Sequence, residues 1–287
     1  MDARQLAQED FERAYRKGFW RKLSSWFTGQ RNELLPFDAV RERIPIRGQH
    51  YAGIQQVPVA QIVGSLGRYR DFDRAFLPRQ DRTRSRWVSI DSAHIEDTIL
   101  PPVDLFKVGE IFFVRDGNHR VSVARERGQE FMDASVIEID IPVPLTADTE
   151  LDDLELKAEY ARFLEQTGIE QIRPEADIEL TLPGEYERLL EHISVHRWYL
   201  GEGRGSEVPY EEAVASWFDN VYSPMVDLID EHQLVSDFPD RTCADLYLWI
   251  IEYEWFLREA FRHDYSFQVV SSQFKERFTG CLLYTSP

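Results

Sequence analysis

The segment from 103 to 139 restricts the fold of this chain more than any other. Short apolar runs alternate there with the turn dipeptides Gly109-Glu110 and Asp116-Gly117. The runs predict, in chain order, strands at 103–108 and 111–114, a helix at 118–127 and a strand at 131–139. Gly128 provides the signal that ends the helix. Three strands and a helix in so short a segment indicate an α+β domain with a small mixed sheet.

Further elements are predicted on both sides of this segment. Before it, we expect a helix over 2–28, a short helix over 37–44, a strand within 54–63 and a helix over 85–95. After it, we expect helices over 149–166, 185–199, 210–221, 224–232 and 242–262, with one short strand at 178–182. The predicted organisation is an N-terminal basic amphipathic arm (1–45), the sheet domain (46–145) and an acidic all-α domain (146–280). The last residues, 281–287, resemble a translated sequencing adapter and are predicted to be a non-native tail.

The charge of the chain is unevenly distributed. The net charge is -18, but residues 1–90 carry 17 basic and 10 acidic groups, whereas residues 141–287 carry 11 and 30. The acidic half should repel phosphate backbones, so any contact with DNA would use the N-terminal half. In the first helix, Phe11, Tyr15, Phe19 and Leu23 recur at four-residue steps among basic residues. This pattern fits a helix packed on the domain through its aromatic stripe, or a basic arm for nucleic acid or a membrane surface.

Several classes of protein are excluded by composition. The two cysteines cannot form a disulfide framework, and no pair has zinc-ligand spacing. No apolar run approaches the length that spans a bilayer, and the N-terminus has no apolar signal core. We therefore expect a cytoplasmic protein without a membrane span.

The turn at Gly117 carries the sharpest chemical signal. Glycine tolerates positive φ, and the amides of Asn118, His119 and Arg120 begin a helix without intrahelical partners. Such a helix terminus attracts anions, and the guanidinium of Arg120 matches the geometry of phosphate oxygens. The turn is therefore either a phosphate site or a well-capped strand–helix connection whose His and Arg pair with neighbouring acids.

Residues 46–145 resemble the ParB/sulfiredoxin-like domain. The resemblance is carried by VPVAQIV (57–63), by Arg70, by PPVDLFKV and by IFFVRDGNHRVSVARERG with its return strand. In this family a Gly-x-x-Arg turn after a hairpin opens a helix that holds nucleotide phosphates, and Gly117, His119 and Arg120 match that motif. The resemblance also implies a phosphate-binding role for Arg70, whereas Asn118 and His119 are expected to bind phosphate because their side chains add neutral donors to the turn.

The resemblance implies a bacterial protein that binds a nucleoside triphosphate, CTP or ATP, with Mg²⁺ left open. The family includes CTP-dependent DNA clamps, sulfiredoxins and small-molecule kinases. Sulfiredoxin chemistry is excluded because its nucleophilic Cys is replaced by Asn118, and no Cys occurs before Cys243. The segment after Ile141 does not look like the helix-turn-helix module of the clamps.

The functional expectation is therefore a regulatory nucleotide-binding protein. A nucleotide-dependent small-molecule kinase or nucleotidase remains an alternative, with Asp73 as the candidate catalytic carboxylate, and so does a DNA-binding transcriptional regulator. The expected partners are the nucleotide and a protein that contacts the acidic helical domain. DNA binding through the basic half and a homodimer are left open, and no dedicated metal site is predicted.

Overall fold

The structure, a computed structural model, describes residues 2–28, 32–261 and 269. The chain divides into two compact units, Met1–Ala158 and Glu159–Pro287. The first unit contains the predicted arm and the predicted sheet domain, and it extends beyond residue 145 into the first part of the predicted helical domain. The predicted tail 281–287 lies outside the described residues, as does residue 262, the last of the final predicted helix.

The first unit combines a sheet with four complete helices in its described part. Its helices are α1 (Ala3–Thr28), α2 (Phe37–Arg43), α3 (Arg84–Ile95) and α4 (Asn118–Glu126). Its strands are β1 (Leu35–Pro36), β2 (Gly48–Pro58), β3 (Ile62–Ser65), β4 (Val103–Val108), β5 (Ile111–Asp116) and β6 (Phe131–Asp140). The predicted succession of strand, turn, strand, turn, helix and strand between 103 and 139 is confirmed, as is the α+β class.

The six strands form one mixed sheet in the order β1-β3-β5-β4-β6-β2. Strands β1, β3 and β5 run parallel to one another, whereas β4 is antiparallel to β5 and parallel to β6. Strand β2 is antiparallel to β6 and lies at one edge. The apolar side chains of the central strands are buried, and Val103, Leu105, Phe113 and Val114 have no exposed surface.

The prediction of a single strand within 54–63 is wrong. Strand β2 ends at Pro58, a short 3₁₀ turn covers Val59–Gln61, and β3 then begins at Ile62. Proline has no amide hydrogen to donate to a ladder, which favours the end of a strand at this position. The two strands consequently take positions far apart in the sheet, with β2 at an edge and β3 between β1 and β5.

Helix α1 packs on the first unit through a face that differs from the predicted stripe. Its buried positions are Ala7, Phe11, Ala14 and Gly18, whereas Phe19 is 59% exposed. Strict four-residue steps drift around a helix of 3.6 residues per turn, so a contact line alternates steps of three and four. The ring of Phe11 meets the ring of Trp87 in α3 edge-on, at 5.6 Å between centroids.

The described part of the second unit contains helices and loops. Helix α5 (Asp153–Thr167) includes the boundary between the units, and the remaining helices are α6 (Ile169–Ile172), α7 (Glu185–Arg204), α8 (Tyr210–Trp217), α9 (Ser223–Glu231) and α10 (Cys243–Phe261). The strand predicted at 178–182 is absent from this unit's described residues. The hydroxyl of Tyr186 instead accepts the amide of Leu180 at 3.0 Å and donates to the carbonyl of Ile178 at 3.2 Å. A side chain thus satisfies backbone groups that a neighbouring strand would otherwise have paired.

A capping box begins α10. The Thr242 amide donates to the Asp245 carboxylate at 2.9 Å, and the Asp245 amide donates to the Thr242 hydroxyl at 3.2 Å. Both bonds satisfy amides that the first helical turn leaves without partners.

No helix in the described ranges combines the length and apolarity that crossing a bilayer requires.

Candidate functional site

The candidate site lies where two parallel neighbouring strands end. Strands β3 and β5 are in register so that Ser65 pairs with Val114, and their carboxyl ends therefore meet at the same edge of the sheet. The loop that follows β3 begins with Leu66, whose amide donates to the carbonyl of Val114 at 2.8 Å. Chain segments that leave this edge side by side can form a crevice, which is where ligands commonly bind in sheets with parallel strands.

Gly117 shapes the turn between β5 and α4. Its φ is +109°, a conformation that residues with a side chain rarely adopt. A Cβ at this position would lie 2.6 Å from Cγ1 of Val103 and 3.0 Å from Nη2 of Arg120. The Val121 amide donates to the Gly117 carbonyl at 3.0 Å, which closes the first turn of α4. The preceding amides, those of Asn118, His119 and Arg120, have no acceptor within the helix.

Asn118 and His119 are buried at this helix start with unsatisfied polar atoms. Each residue is 5% exposed, and the ring of Phe72 lies edge-on to His119 at 5.3 Å between centroids. Oδ1 of Asn118 and Nδ1 of His119 have no hydrogen-bond partner among the described residues. A buried polar atom without a partner costs free energy, so these two atoms, beside the amides that begin α4, require a hydrogen-bond partner from water or from a polar ligand.

The electrostatic environment of His119 is positive. Burial lowers the pKa of His119 to about 4, and the charges of Arg68 and Arg86 contribute in the same direction, with Asp71 opposing. The imidazole is therefore neutral at physiological pH. Arg86 is exposed and makes no ion pair within the described ranges, whereas Arg68 lies 3.7 Å from Asp71. Two guanidinium groups close to a helix start that carries a partial positive charge favour an anion.

Arg120 braces the turn. Its Nη1 donates to the carbonyls of Pro101 and Pro102 at 2.6 and 2.7 Å, and its Nη2 donates to the carboxylate of Asp116 at 2.7 Å. The side chain of Asp116 is 63% exposed, so this ion pair is accessible to water and to competing anions. Direct phosphate binding by Arg120 stays a prediction, since its guanidinium is engaged with the protein in this structure.

Arg70 lies against a different cleft. Its guanidinium is 5.5 Å from the centre of the Tyr69 ring, and the cleft that it lines has a volume of about 940 Å³. Arg74 and Arg79 line the same cleft. No described contact joins Arg70 to the Gly117 turn, and its predicted role as a phosphate ligand stays a prediction.

Asp73 holds a tight turn. It is 1% exposed, and its Oδ1 accepts the amides of Ala75 and Leu77 at 2.9 and 2.8 Å. Its Oδ2 lies 3.3 Å from both Arg21 and the side-chain amide of Asn32. Both carboxylate oxygens are therefore engaged in shaping residues 73–77, and the catalytic role predicted for Asp73 stays without a supporting contact.

Sequence reasoning did not assign a role to Arg68 or Arg86. Both belong to an arginine-dense segment, in which no local pattern distinguishes one arginine from the next. The sequence feature that could have pointed to this region is Gly67, which turns the chain shortly after β3 and has a φ of +81°. The register of β3 beside β5 then brings Arg68 towards the start of α4, and that pairing joins parts of the chain that are distant in sequence.

Among the residues that the structure describes, no group of three or more His, Cys, Asp or Glu side chains is placed to hold a metal ion. The side chains of His192 and His196, spaced four residues apart on α7, each contact a hydroxyl group instead of sharing a metal ion. Nδ1 of His192 lies 3.1 Å from the hydroxyl of Tyr247, and Nε2 of His196 lies 3.0 Å from the hydroxyl of Ser216. Mg²⁺ beside the nucleotide, which the sequence leaves open, stays untested.

The functional assignment of this protein is based on the geometry of the candidate site, because the comparisons with known proteins found no match. Neither the protein-family models nor the curated proteins contain a match to this chain. The resemblance to the ParB/sulfiredoxin-like domain therefore stays a prediction that depends on the Gly117–Arg120 motif and its place in the order of elements.

Proposed function

We propose that this protein binds a phosphorylated ligand, a nucleoside triphosphate such as CTP or ATP, where β3 and β5 end. The phosphates would accept hydrogen bonds from the amides at the start of α4 and from Nδ1 of His119 in the neutral tautomer that carries its proton there, while Oδ1 of Asn118 would accept a hydrogen bond from a hydroxyl of the ligand. Arg68 and Arg86 would provide the positive charge. The observation that carries the proposal is the buried, unpartnered Nδ1 of His119 beside the amides that begin α4.

The same proposal includes membership of the ParB/sulfiredoxin-like family. The order of elements between 103 and 139 and the left-handed conformation of Gly117 support it. In the free protein Arg120 holds the turn to the 101–102 segment. A bound phosphate would compete with the exposed carboxylate of Asp116 for the same guanidinium, since both are anions that match its planar donors.

We propose binding as part of regulation rather than turnover. Asp71 is the carboxylate whose charge acts on His119, and it pairs with Arg82 at 2.5 Å. Asp73 is occupied by the turn that it caps. A general base needs an oxygen within hydrogen-bond reach of the reacting hydroxyl, and neither carboxylate offers an unengaged one. A kinase or nucleotidase is therefore the less favoured candidate.

Calorimetric titration of the full chain with CTP and ATP, with and without Mg²⁺, tests the proposal. The wild type should bind at least one of them, and the double variant Arg68→Ala/Arg86→Ala should bind it at least about tenfold more weakly, because each charge-assisted contact is worth about 1.5–3 kcal/mol. Arg4→Ala is the matched control, since it removes the same charge from an exposed helical position of the same unit.

Arg120→Ala separates the two roles of that residue. As a phosphate ligand, its loss should weaken triphosphate binding about tenfold. As a brace alone, its loss should lower the free energy of unfolding and leave binding nearly unchanged. No binding of either nucleotide at millimolar concentration, or equal binding by the wild type and the Arg68/Arg86 variant, would refute the proposed site.

A further inference from the structure

A second surface of the first unit is a groove beside the last turns of α1. Its volume is about 1030 Å³. One wall is α1, the floor includes Val59, Ala60, Ala75 and Leu77, and the opposite wall includes residues 125–130. This surface, the α1 groove, does not include the residues of the Gly117 turn.

The wall formed by α1 is a basic helical face. Its members recur at spacings of three and four residues and are Arg13, Arg16, Lys17, Trp20 and Arg21. The face is distinct from the one that α1 buries through Ala7, Phe11 and Ala14. Arg13, Lys17 and Arg21 follow one another at four-residue steps, which places their Cα atoms about 6 Å apart along the helix axis. A row of cations at regular intervals matches an anion whose charges repeat along a chain.

Each cation of this row pairs with a carboxylate, as Arg13 does with Asp10 at 2.5 Å. Lys17 lies 2.7 Å from Glu126, and Arg21 lies 3.3 Å from Asp73. The side chains of both cations are more than half exposed. The carboxylates of Glu126 and Asp73 are almost fully buried, so an incoming anion would contact the exposed side of each cation without displacing its carboxylate partner. The cations along the groove outnumber its acidic residues, Glu126 and Glu130.

The groove also carries exposed aromatic rings. Trp20 lines the groove and is 65% exposed, and Phe19, the preceding residue of α1, is 59% exposed beside it, with their ring centroids 5.8 Å apart. An exposed indole next to a row of cations offers a flat surface on which an unpaired base can stack. The bases of a duplex are already stacked on one another and cannot use such a surface in the same way.

The floor of the groove is held in a fixed shape by Arg125. Its guanidinium donates to the carbonyls of Val59, Ala60 and Ile62 at 3.0, 3.3 and 2.7 Å, and it lies 5.2 Å from the centre of the Phe76 ring. The 3₁₀ turn that separates β2 from β3 is thereby fixed to the last turns of α4. The floor of the groove and the wall opposite α1 are therefore held together as one surface.

We infer that the α1 groove binds single-stranded nucleic acid, with the backbone along the basic row and a base stacked on Trp20. Charge complementarity, the regular spacing of the cations and the exposed rings favour this ligand over an acidic protein segment. The large negative charge elsewhere in the chain does not prevent local binding, because salt screens charges beyond about 8–10 Å.

The test is a fluorescence anisotropy titration of the full chain with a labelled oligothymidylate of about 16 nucleotides, the upper site size of one single-strand binding fold. Wild type should bind at low salt and bind more weakly as salt rises. Trp20→Ala should weaken binding about fivefold or more, as expected from the loss of one stacked base. Arg13→Ala/Arg16→Ala should lower the slope of log affinity against log salt by about 1.4 if each residue neutralises one phosphate of the single strand.

Matched controls are available in the same chain. Trp198→Ala removes an equally exposed tryptophan from α7, and Arg4→Ala removes a cation from another position of α1. Neither should change the affinity. Arg86→Ala should also have no effect, which separates the α1 groove from the Gly117 site. Circular dichroism of each variant establishes that α1 remains folded.

Three outcomes would overturn the inference. The first is no binding of the oligothymidylate at low salt, and the second is binding that Trp20→Ala and Arg13→Ala/Arg16→Ala leave unchanged. The third is equal or stronger competition by a duplex of the same length or by poly-glutamate of matched charge. That third result would assign the groove to polyanions or acidic proteins without recognition of unpaired bases.

Discussion

The indole N–H of Trp87 donates to the hydroxyl of Ser122 at 2.8 Å, and both side chains are buried. Ser122 in turn donates to the carbonyl of Phe76 at 2.6 Å. This chain of two hydrogen bonds joins α3 to α4 and to the turn at 73–77. It thereby fixes the helix that presents Asn118 and His119 against the element that contributes Arg86.

Ser122→Ala should lower the free energy of unfolding of the first unit by about 1–3 kcal/mol. The substitution removes one hydroxyl but leaves two buried groups unsatisfied, the N–H of Trp87 and the carbonyl of Phe76. Urea unfolding followed by tryptophan fluorescence measures the change. Ser89→Ala, at an exposed position of α3, should change stability by no more than a few tenths of a kcal/mol. Equal effects of the two substitutions would contradict the importance of this link.

Gly117→Ala should be more destabilising than Gly128→Ala, although both glycines have positive φ and flank the same helix. A Cβ at 117 would meet Val103 at 2.6 Å, whereas a Cβ at 128 would have no neighbour within 4 Å. The strained conformation alone costs about 1–2 kcal/mol, and the collision at 117 adds to it. Chemical denaturation of both variants checks the order, and a smaller loss for Gly117→Ala would refute the turn geometry.

The elements between 103 and 139 could be predicted because their information is local. Apolar runs, turn dipeptides and Gly128 lie within a few residues of the structure that they determine. The boundary between β2 and β3 could not be predicted because residues 54–63 form one apolar-rich run, in which Pro58 is equally compatible with the start, the edge or the end of a strand. Likewise, the segment 178–182 has the composition of a strand, but the hydroxyl of Tyr186 satisfies its backbone in a way that no periodicity reveals.

The candidate site was predictable only in part. Gly117 and the helix that follows it are evident from the sequence, and the structure places Asn118 and His119 in a buried environment at the helix start. The brace made by Arg120 depends on carbonyls of Pro101 and Pro102, which a motif at 117–120 does not include. The approach of Arg68 to His119 depends on the parallel pairing of β3 with β5, a property of the topology rather than of the local sequence.

Asp91→Asn should change how the stability of the first unit depends on pH. Asp91 is fully buried, pairs with Arg127 at 2.6 Å and has an Oδ2 without a partner among the described residues. Burial raises its pKa above the ordinary 3.8, with Arg127 opposing. The folded state therefore binds the proton of Asp91 more tightly than the unfolded state does. Asp91 contributes stability at pH values below its pKa in the unfolded state, and this contribution is lost as pH rises through its pKa in the folded state.

Thermal unfolding of Asp91→Asn and wild type at a series of acidic pH values measures this contribution. At the lowest pH the variant should have a lower free energy of unfolding than the wild type. As pH rises above 3.8, the free energy of unfolding of the variant should increase relative to that of the wild type. Asp240→Asn, at an exposed position, controls for the general effect of removing one acidic charge. A difference that stays constant with pH would show that Asp91 is charged equally in the folded and unfolded states.

Binding of a phosphorylated ligand at the Gly117 turn should raise the pKa of His119. In the free protein burial, followed by Arg68 and Arg86, lowers that pKa to about 4, and an anion beside the ring stabilises the protonated form. By linkage, the ligand should then bind more tightly as pH falls from about 6.5 towards 4, because the proton and the anion favour one another. NMR titration of the His119 ring with and without CTP or ATP measures the shift, and the exposed His50 on β2 provides an internal control whose signal should not respond to the ligand. A His119 titration that is identical in the presence and absence of a bound nucleotide would place the phosphates elsewhere, even if binding itself were tight.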